Sequence, residues 1–254
     1  MNRKNRAAPM AGFTLVELLI TMVVSGLIMT GVYSAYVAQQ RTATAQDQVT
    51  AMQQNIRSAM VILSRDLRMA GYDPTKNANA GFVETGSFRN GGSLTEPVSS
   101  SAKTIAFTVD LDEDGTIDTL VEDVNGDGNK DMSEMEQVAY KMHITEPRLL
   151  RYSTPTGAIE WQTIAENIEA IEFRYLDEGG APTADFKKVV AVDVSILARA
   201  AYPDPKFTNG ITYTPASGVV WDLNGAAAGL ANPPNDNFRR RLLITRIQCR
   251  NLGL

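Results

Sequence analysis

The chain has 254 residues, 44% of them hydrophobic and 21% charged, a make-up that fits a folded protein and excludes wholesale disorder. Lys and Arg number 24 against 29 Asp and Glu, and the net charge of −5 disfavours a strongly basic nucleic-acid binder. A single cysteine, Cys249, and a single histidine, His143, exclude an internal disulfide, all-cysteine zinc sites, CxxC redox chemistry and multi-histidine metal centres, so the balance leans away from enzymes.

The first twelve residues carry Arg3, Lys4 and Arg6 and no acid, which leaves a remainder with 21 basic and 29 acidic residues, a net charge of −8. Residues 13–38 then form an apolar run of 26 residues with one charge, Glu17. About 20 apolar residues suffice to cross a bilayer. The short basic flank orients this end toward the cytoplasm and the rest of the chain outward. No A-x-A-like cleavage site with a turn-prone approach follows the run, as a conventional signal peptide requires, and helical sequence continues instead. A plain anchor explains the apolarity but not Glu17. A carboxylate in a membrane helix costs roughly 2.5–3.5 kcal/mol near its centre and less near an end, so it needs a partner.

The string Gly12-Phe13-Thr14-Leu15-Val16-Glu17, after a basic leader, resembles the class III signal of type IV prepilins and type II secretion pseudopilins. That resemblance implies removal of leader residues 1–12 by a prepilin peptidase acting after Gly12, and N-methylation of Phe13. It also implies that Glu17 of an incoming subunit meets the terminal ammonium of its neighbour. Each charge then offsets the desolvation of the other, and the pairing sets the axial register of the subunits.

Beyond the apolar run, Val49, Met52, Ile56, Ala59, Leu63, Leu67 and Ala70 recur at spacings of three and four, one stripe of an amphipathic helix over 39–70. Gln53, Asn55, Arg57 and Asp66 fall mostly off the stripe. Arg65 and Arg68 suit the last turn, Gly71 suits the position just past the end, and Pro74 follows. A helix from Phe13 to Ala70 would be about 87 Å long at 1.5 Å per residue. Gly26 and Gly31 either loosen its middle or serve close helix packing.

After Gly71 the pattern becomes short β-type runs punctuated by Gly, Pro, Asn and Asp. Strands are predicted at 103–109, 137–143, 148–152, 169–176, 188–197 and 242–250. In the fifth, Val190, Val192, Val194 and Ile196 alternate with Ala191, Asp193 and Ser195, the period-two pattern of a half-buried strand. The expected fold is α+β: a long N-terminal membrane-spanning and amphipathic helix on a mainly antiparallel β domain over 71–254.

The acids concentrate between Asp110 and Glu136. Asp123, Asn125, Asp127, Gly128, Asn129, Asp131 and Glu134 match D-x-[DN]-x-[DN]-G-x5-E position by position. Alternate oxygens on a flexible loop suit calcium, with Asn129 offering a backbone carbonyl and Glu134 closing the shell. A second copy starts thirteen residues earlier with Asp110, Asp112, Asp114, Gly115, Thr116 and Asp118. Its twelfth position is Val121, so the closing acid is missing there. Either this loop is weaker or the two loops share ligands. The bland alternative is an Asp/Asn/Gly turn cluster with no metal. The flanks read as strand and turn, which argues against a helix-opening switch.

Residues 199–238 form a segment rich in Ala, Pro, Gly and Asn, with an Asn209-Gly210 hairpin signal. It is either a floppy insertion or a contact surface carrying Tyr202 and Trp221. Arg239, Arg240, Arg241 and Arg246 read as a solvated edge that discourages strand pairing, with an anionic partner as the alternative. His143 and Cys249 read as structural.

Ser64–Tyr72, Glu166–Asp177 and the closing stretch 239–252 resemble PilW-type minor pilins and J-type pseudopilins. The implied role is a minor pilin that primes assembly of a type IV pilus and sits at or near its tip. The implied partners are other minor pilins, the major pilin, the prepilin peptidase and the inner membrane. A pseudopilin of a type II secretion system and a tip adhesin or DNA-uptake subunit stay open beside it.

Overall fold

The computed structural model describes residues 12–84, 87–90, 94–97, 100–117, 136–153, 160–223 and 234–252. The long α-helix, α1, runs Leu15–Met69 and passes unbroken through Gly26 and Gly31. The chain divides after Asp47 into two compact units.

In the first unit every described residue from Gly12 to Tyr36 is exposed, including Leu15, Leu19, Val23, Leu27 and Tyr33. The helix is long and apolar enough here to cross a membrane. Three of its hydroxyls are satisfied within the helix. Thr21 donates to the Leu18 carbonyl, Thr30 to Gly26 and Ser34 to Thr30, each at 2.9 Å. Internal satisfaction is what a hydrocarbon surrounding demands of polar groups.

In the second unit the expected stripe is the buried one. Met52, Ile56, Ala59, Leu63, Leu67 and Ala70 enter the core, joined by Met60, with Val49 packed at its margin. Asp66 is half-buried and accepts from Arg151 Nε at 2.6 Å and from the Tyr140 hydroxyl. Burial, and then Asp66, push the Tyr140 phenol up. The helix ends as its residues dictate. Gly71 adopts φ +74 and its N–H crosses to the Thr108 carbonyl at 3.0 Å. The Asn251 carboxamide donates to the carbonyls of Arg68 and Met69 at 3.2 and 3.4 Å, capping the helix from the far end of the chain.

Among the described residues nine strands follow: β1 (Ser87–Asn90), β2 (Leu94–Pro97), β3 (Thr104–Thr108), β4 (Gln137–Met142), β5 (Arg148–Ser153), β6 (Glu160–Glu166), β7 (Ile168–Leu176), β8 (Ala191–Arg199) and β9 (Arg240–Gln248). They form a β1-β2 pair, a β3-β4-β5-β6 sheet and a β7-β8-β9 sheet, antiparallel throughout. The two larger sheets meet at Asn167, whose φ of 57 turns β6 into β7. Ile105, Phe107, Tyr140 and Leu149 from one sheet and Ile171, Phe173, Val192, Val194 and Ile196 from the other share one core with the helix stripe. The architecture is the α+β arrangement expected. Six predicted strands are present with ends shifted by a few residues; β1, β2 and β6 were not foreseen.

Four expectations need correction. β8 is not half-buried: all its residues but Arg199 are buried, on both faces. The reason lies in the 199–238 segment, which covers the second face where it is described. Ala216 N–H donates to Ser195 Oγ at 2.9 Å, Arg174 donates to the Ala216 carbonyl at 2.7 Å, and Ser217 Oγ donates to Glu172 at 2.8 Å. Its described part is therefore a packed cover, not a floppy insertion. Nor does Asn209-Gly210 turn a hairpin. Asn209 is fully buried, pairs with Asp236, and donates to the Phe238 carbonyl and Tyr213 hydroxyl at 3.0 Å.

The arginine run is likewise not a solvated edge. The Arg240 side chain is 2% exposed and sits between Glu169 and Asp236. Arg239 pairs with Asp204 at 2.8 Å and stacks on Phe207, whereas Arg246 pairs with Asp193 at 2.7 Å but stays 59% exposed, as expected. Only Arg241 among the three consecutive arginines keeps the expected exposure on edge strand β9. His143 Nδ1 accepts from the backbone of Thr145 and Glu146, a turn role.

Candidate functional site

Two places carry the residues singled out from sequence. The first is the start of α1. Gly12 and Phe13 precede the helix, and Phe13 is 84% exposed. The leader residues before Gly12 lie outside the described residues. Thr14 is the N-cap. Its hydroxyl accepts from Glu17 N–H at 3.2 Å, and the Glu17 carboxylate reaches back to accept from Thr14 N–H at 3.2 Å and from its hydroxyl at 3.1 Å. This is a reciprocal capping box, which satisfies two of the N–H groups a helix start leaves bare. A negative charge in the first turn is also favoured by the helix dipole. Glu17 therefore has an intramolecular partner before any neighbour arrives. The signal for this cap lies in the sequence as Thr-x-x-Glu at 14–17.

The second place is the acidic segment. Gly115 takes φ +85, and a Cβ there would lie 2.9 Å from Thr75 Oγ1, so the loop's sixth position requires glycine. Asp110 is buried and its Oδ2 accepts from Gly115 N–H at 3.2 Å. Asp112 is exposed and accepts from Asp114 N–H at 3.1 Å. Asp114 and Thr116 bond to each other, Thr116 N–H and hydroxyl both donating to Asp114 Oδ1 at 2.7 and 2.8 Å. Asp118, Asp123, Asn125, Asp127, Asn129, Asp131 and Glu134 lie outside the described residues.

Glu136 was absent from the expected ligands. It is 1% exposed, just before β4, and its Oε1 accepts from Leu111 N–H at 2.9 Å. One oxygen each from Asp110, Asp112 and Glu136 lies within 4.8 Å of the others. The Tyr72 hydroxyl donates to Glu113 at 2.8 Å on the rim, and that bond raises its phenol above the ordinary tyrosine range.

Residues 45–214 match the family model described as "Prepilin peptidase-dependent protein B". Residues 9–33 match the prokaryotic N-terminal methylation motif, which spans the capping box and the start of the apolar run. Among solved structures, the chain is similar to a type IV-like pilin from Thermus thermophilus, with 15% identity and a TM-score of 0.43 over 80% of this chain and 98% of that one. No curated protein sequence matches. With two thirds of its length under one family model and the methylation motif at its start, the chain belongs to the prepilin peptidase-dependent protein B family of type IV pilin-like proteins.

Proposed function

We propose that this protein is a minor pilin of a type IV pilus. It would be held in the inner membrane by residues 13–38 with the β unit in the periplasm. After cleavage at Gly12 it would join other minor pilins and the major pilin to prime a filament, at or near whose tip it stays. The observation that carries this reading is the helix start. A carboxylate stands at the N-terminus of a helix whose apolar side chains are all exposed from Phe13 to Tyr36, so both charge and oily surface call for an assembly partner. The mechanism is exchange. In the unassembled chain Glu17 caps its own helix; in the filament the ammonium of a neighbouring Phe13 competes for the same carboxylate, now in apolar surroundings where an opposite charge is worth more.

The experiment separates cap from charge. Glu17→Gln keeps an acceptor for the capping box but cannot pair with an ammonium. Thr14→Ala removes the hydroxyl and keeps the carboxylate. Glu17→Gln should leave processed protein in the membrane and out of sheared fibres, while Thr14→Ala should incorporate. Equal incorporation of both variants would overturn the mechanism. Mass spectrometry of the native product should find N-methylated Phe13 first. A product that retains residues 1–12, or lacks the apolar helix, would overturn the function.

A further inference from the structure

Asp110 is 0% exposed, yet among the described residues its Oδ1 has no hydrogen-bond partner. Buried carboxylate oxygens without a partner are rare, because the lost hydration goes uncompensated. Oδ2 is occupied by the Gly115 N–H, which leaves Oδ1 as the oxygen in need of a ligand. Beside it stand two further carboxylates, Asp112 on the exposed side and Glu136 at 1% exposure, with one oxygen of each residue within 4.8 Å of the others. A cation held among three carboxylates at this range, two of them out of water, offsets their mutual repulsion.

We propose that Asp110, Asp112 and Glu136 form a calcium site in which Glu136, from the far end of the acidic segment, supplies the carboxylate that Val121 at the loop's own twelfth position cannot. The donors are all hard oxygens, which suit calcium or magnesium and disfavour softer metals. Two oxygens bound to one calcium ion stand at most about 4.6–5.2 Å apart, twice its metal–oxygen distance, so three oxygens within 4.8 Å of one another are close enough to share that ion. Asp112 on the exposed side gives the ion a path from water and leaves room for the solvent ligands a six- to eight-fold shell needs.

The consequence is mechanical. Asp110 follows β3 and Glu136 precedes β4, so the ion would clip together the two ends of the whole acidic excursion where it leaves and re-enters the sheet. Val109 N–H already bonds the Glu136 carbonyl at 2.8 Å, and Leu111 N–H its side chain. A clip that closes a long loop restricts the unfolded chain most. The site is thus a brace for the sheet that packs on α1, and it stands independently of the role proposed for Glu17.

The test uses the full chain in detergent, titrated with calcium chloride or magnesium chloride while heat of binding and melting temperature are read. Asp123→Asn/Asp127→Asn serves as the parent, so that any site in the later loop is silenced. Calcium in the range of about 10⁻⁴–10⁻³ M should raise the parent's melting temperature. Adding Glu136→Gln should weaken binding at least tenfold and abolish the rise. Asp112→Asn, at an exposed position, should also weaken binding at least tenfold and carries the test should Glu136→Gln fail to fold. No calcium response in the parent, affinity within twofold after either substitution, or magnesium bound as tightly as calcium would each overturn the proposal.

Discussion

Gly71→Ala tests how the long helix is joined to the sheet. Gly71 holds φ +74 at the helix end, and an alanine Cβ there would stand 2.2 Å from Leu252 Cδ2 and 2.8 Å from its Cγ. The left-handed conformation alone costs a non-glycine residue about 1–2 kcal/mol. The clash is with the tip of a flexible side chain, so Leu252 swings away and gives up its partial burial, about 1 kcal/mol for half of a leucine. The sum is about 2–3 kcal/mol. Urea unfolding of the full chain, followed by the fluorescence of Trp161 and Trp221, reports on the second unit, where both lie. Leu252→Ala alone should cost about 1 kcal/mol. The double variant should be no less stable than Gly71→Ala by more than about 0.5 kcal/mol, because the displaced contact is counted only once. A loss under about 0.5 kcal/mol for Gly71→Ala would refute the conformational argument, and full additivity would refute the clash.

The acid limb of stability should be set in part by the arginine-bound carboxylates. The bonds from Arg239 to Asp204 and from Arg240 to Asp236 hold both carboxyls below the usual aspartate range. A carboxyl depressed in the folded state stabilises above its unfolded value, about 3.9, and that stability is lost as pH falls through the folded value. Asp236→Asn should therefore lower the melting temperature at pH 7, with the gap to wild type closing below about pH 4; a gap constant with pH would contradict the pairing. Cys249 is 3% exposed and burial pushes its thiol up to about 12, so it should ignore Ellman's reagent at about pH 8 and titrate fully once the chain is unfolded. Stoichiometric labelling of the folded protein would show the thiol to be accessible.

Thr14–Glu17, the apolar run after it, the stripe from Val49 to Ala70 and the glycine that ends the helix are all local patterns. They follow from spacings of three and four along one helix, so the sequence by itself determined them, and with them the family resemblance. The alternation in residues 190–196 likewise determined a strand, because period two is a property of the strand alone. What it could not determine was that both faces of β8 are covered, since the cover comes from Ala216 and Ser217, about twenty residues downstream. Arg240 looked like a solvent-facing charge until folding placed it between Asp236 and Glu169, the latter 71 residues away. Asp110 appeared to lack its closing acid because ligands were counted along the loop; the fold brings Glu136 to it by pairing β3 with β4. Charges and hydrogen-bonding groups pair by proximity in space, with no periodicity to mark their partners, and only the tertiary structure decides which distant residues become neighbours.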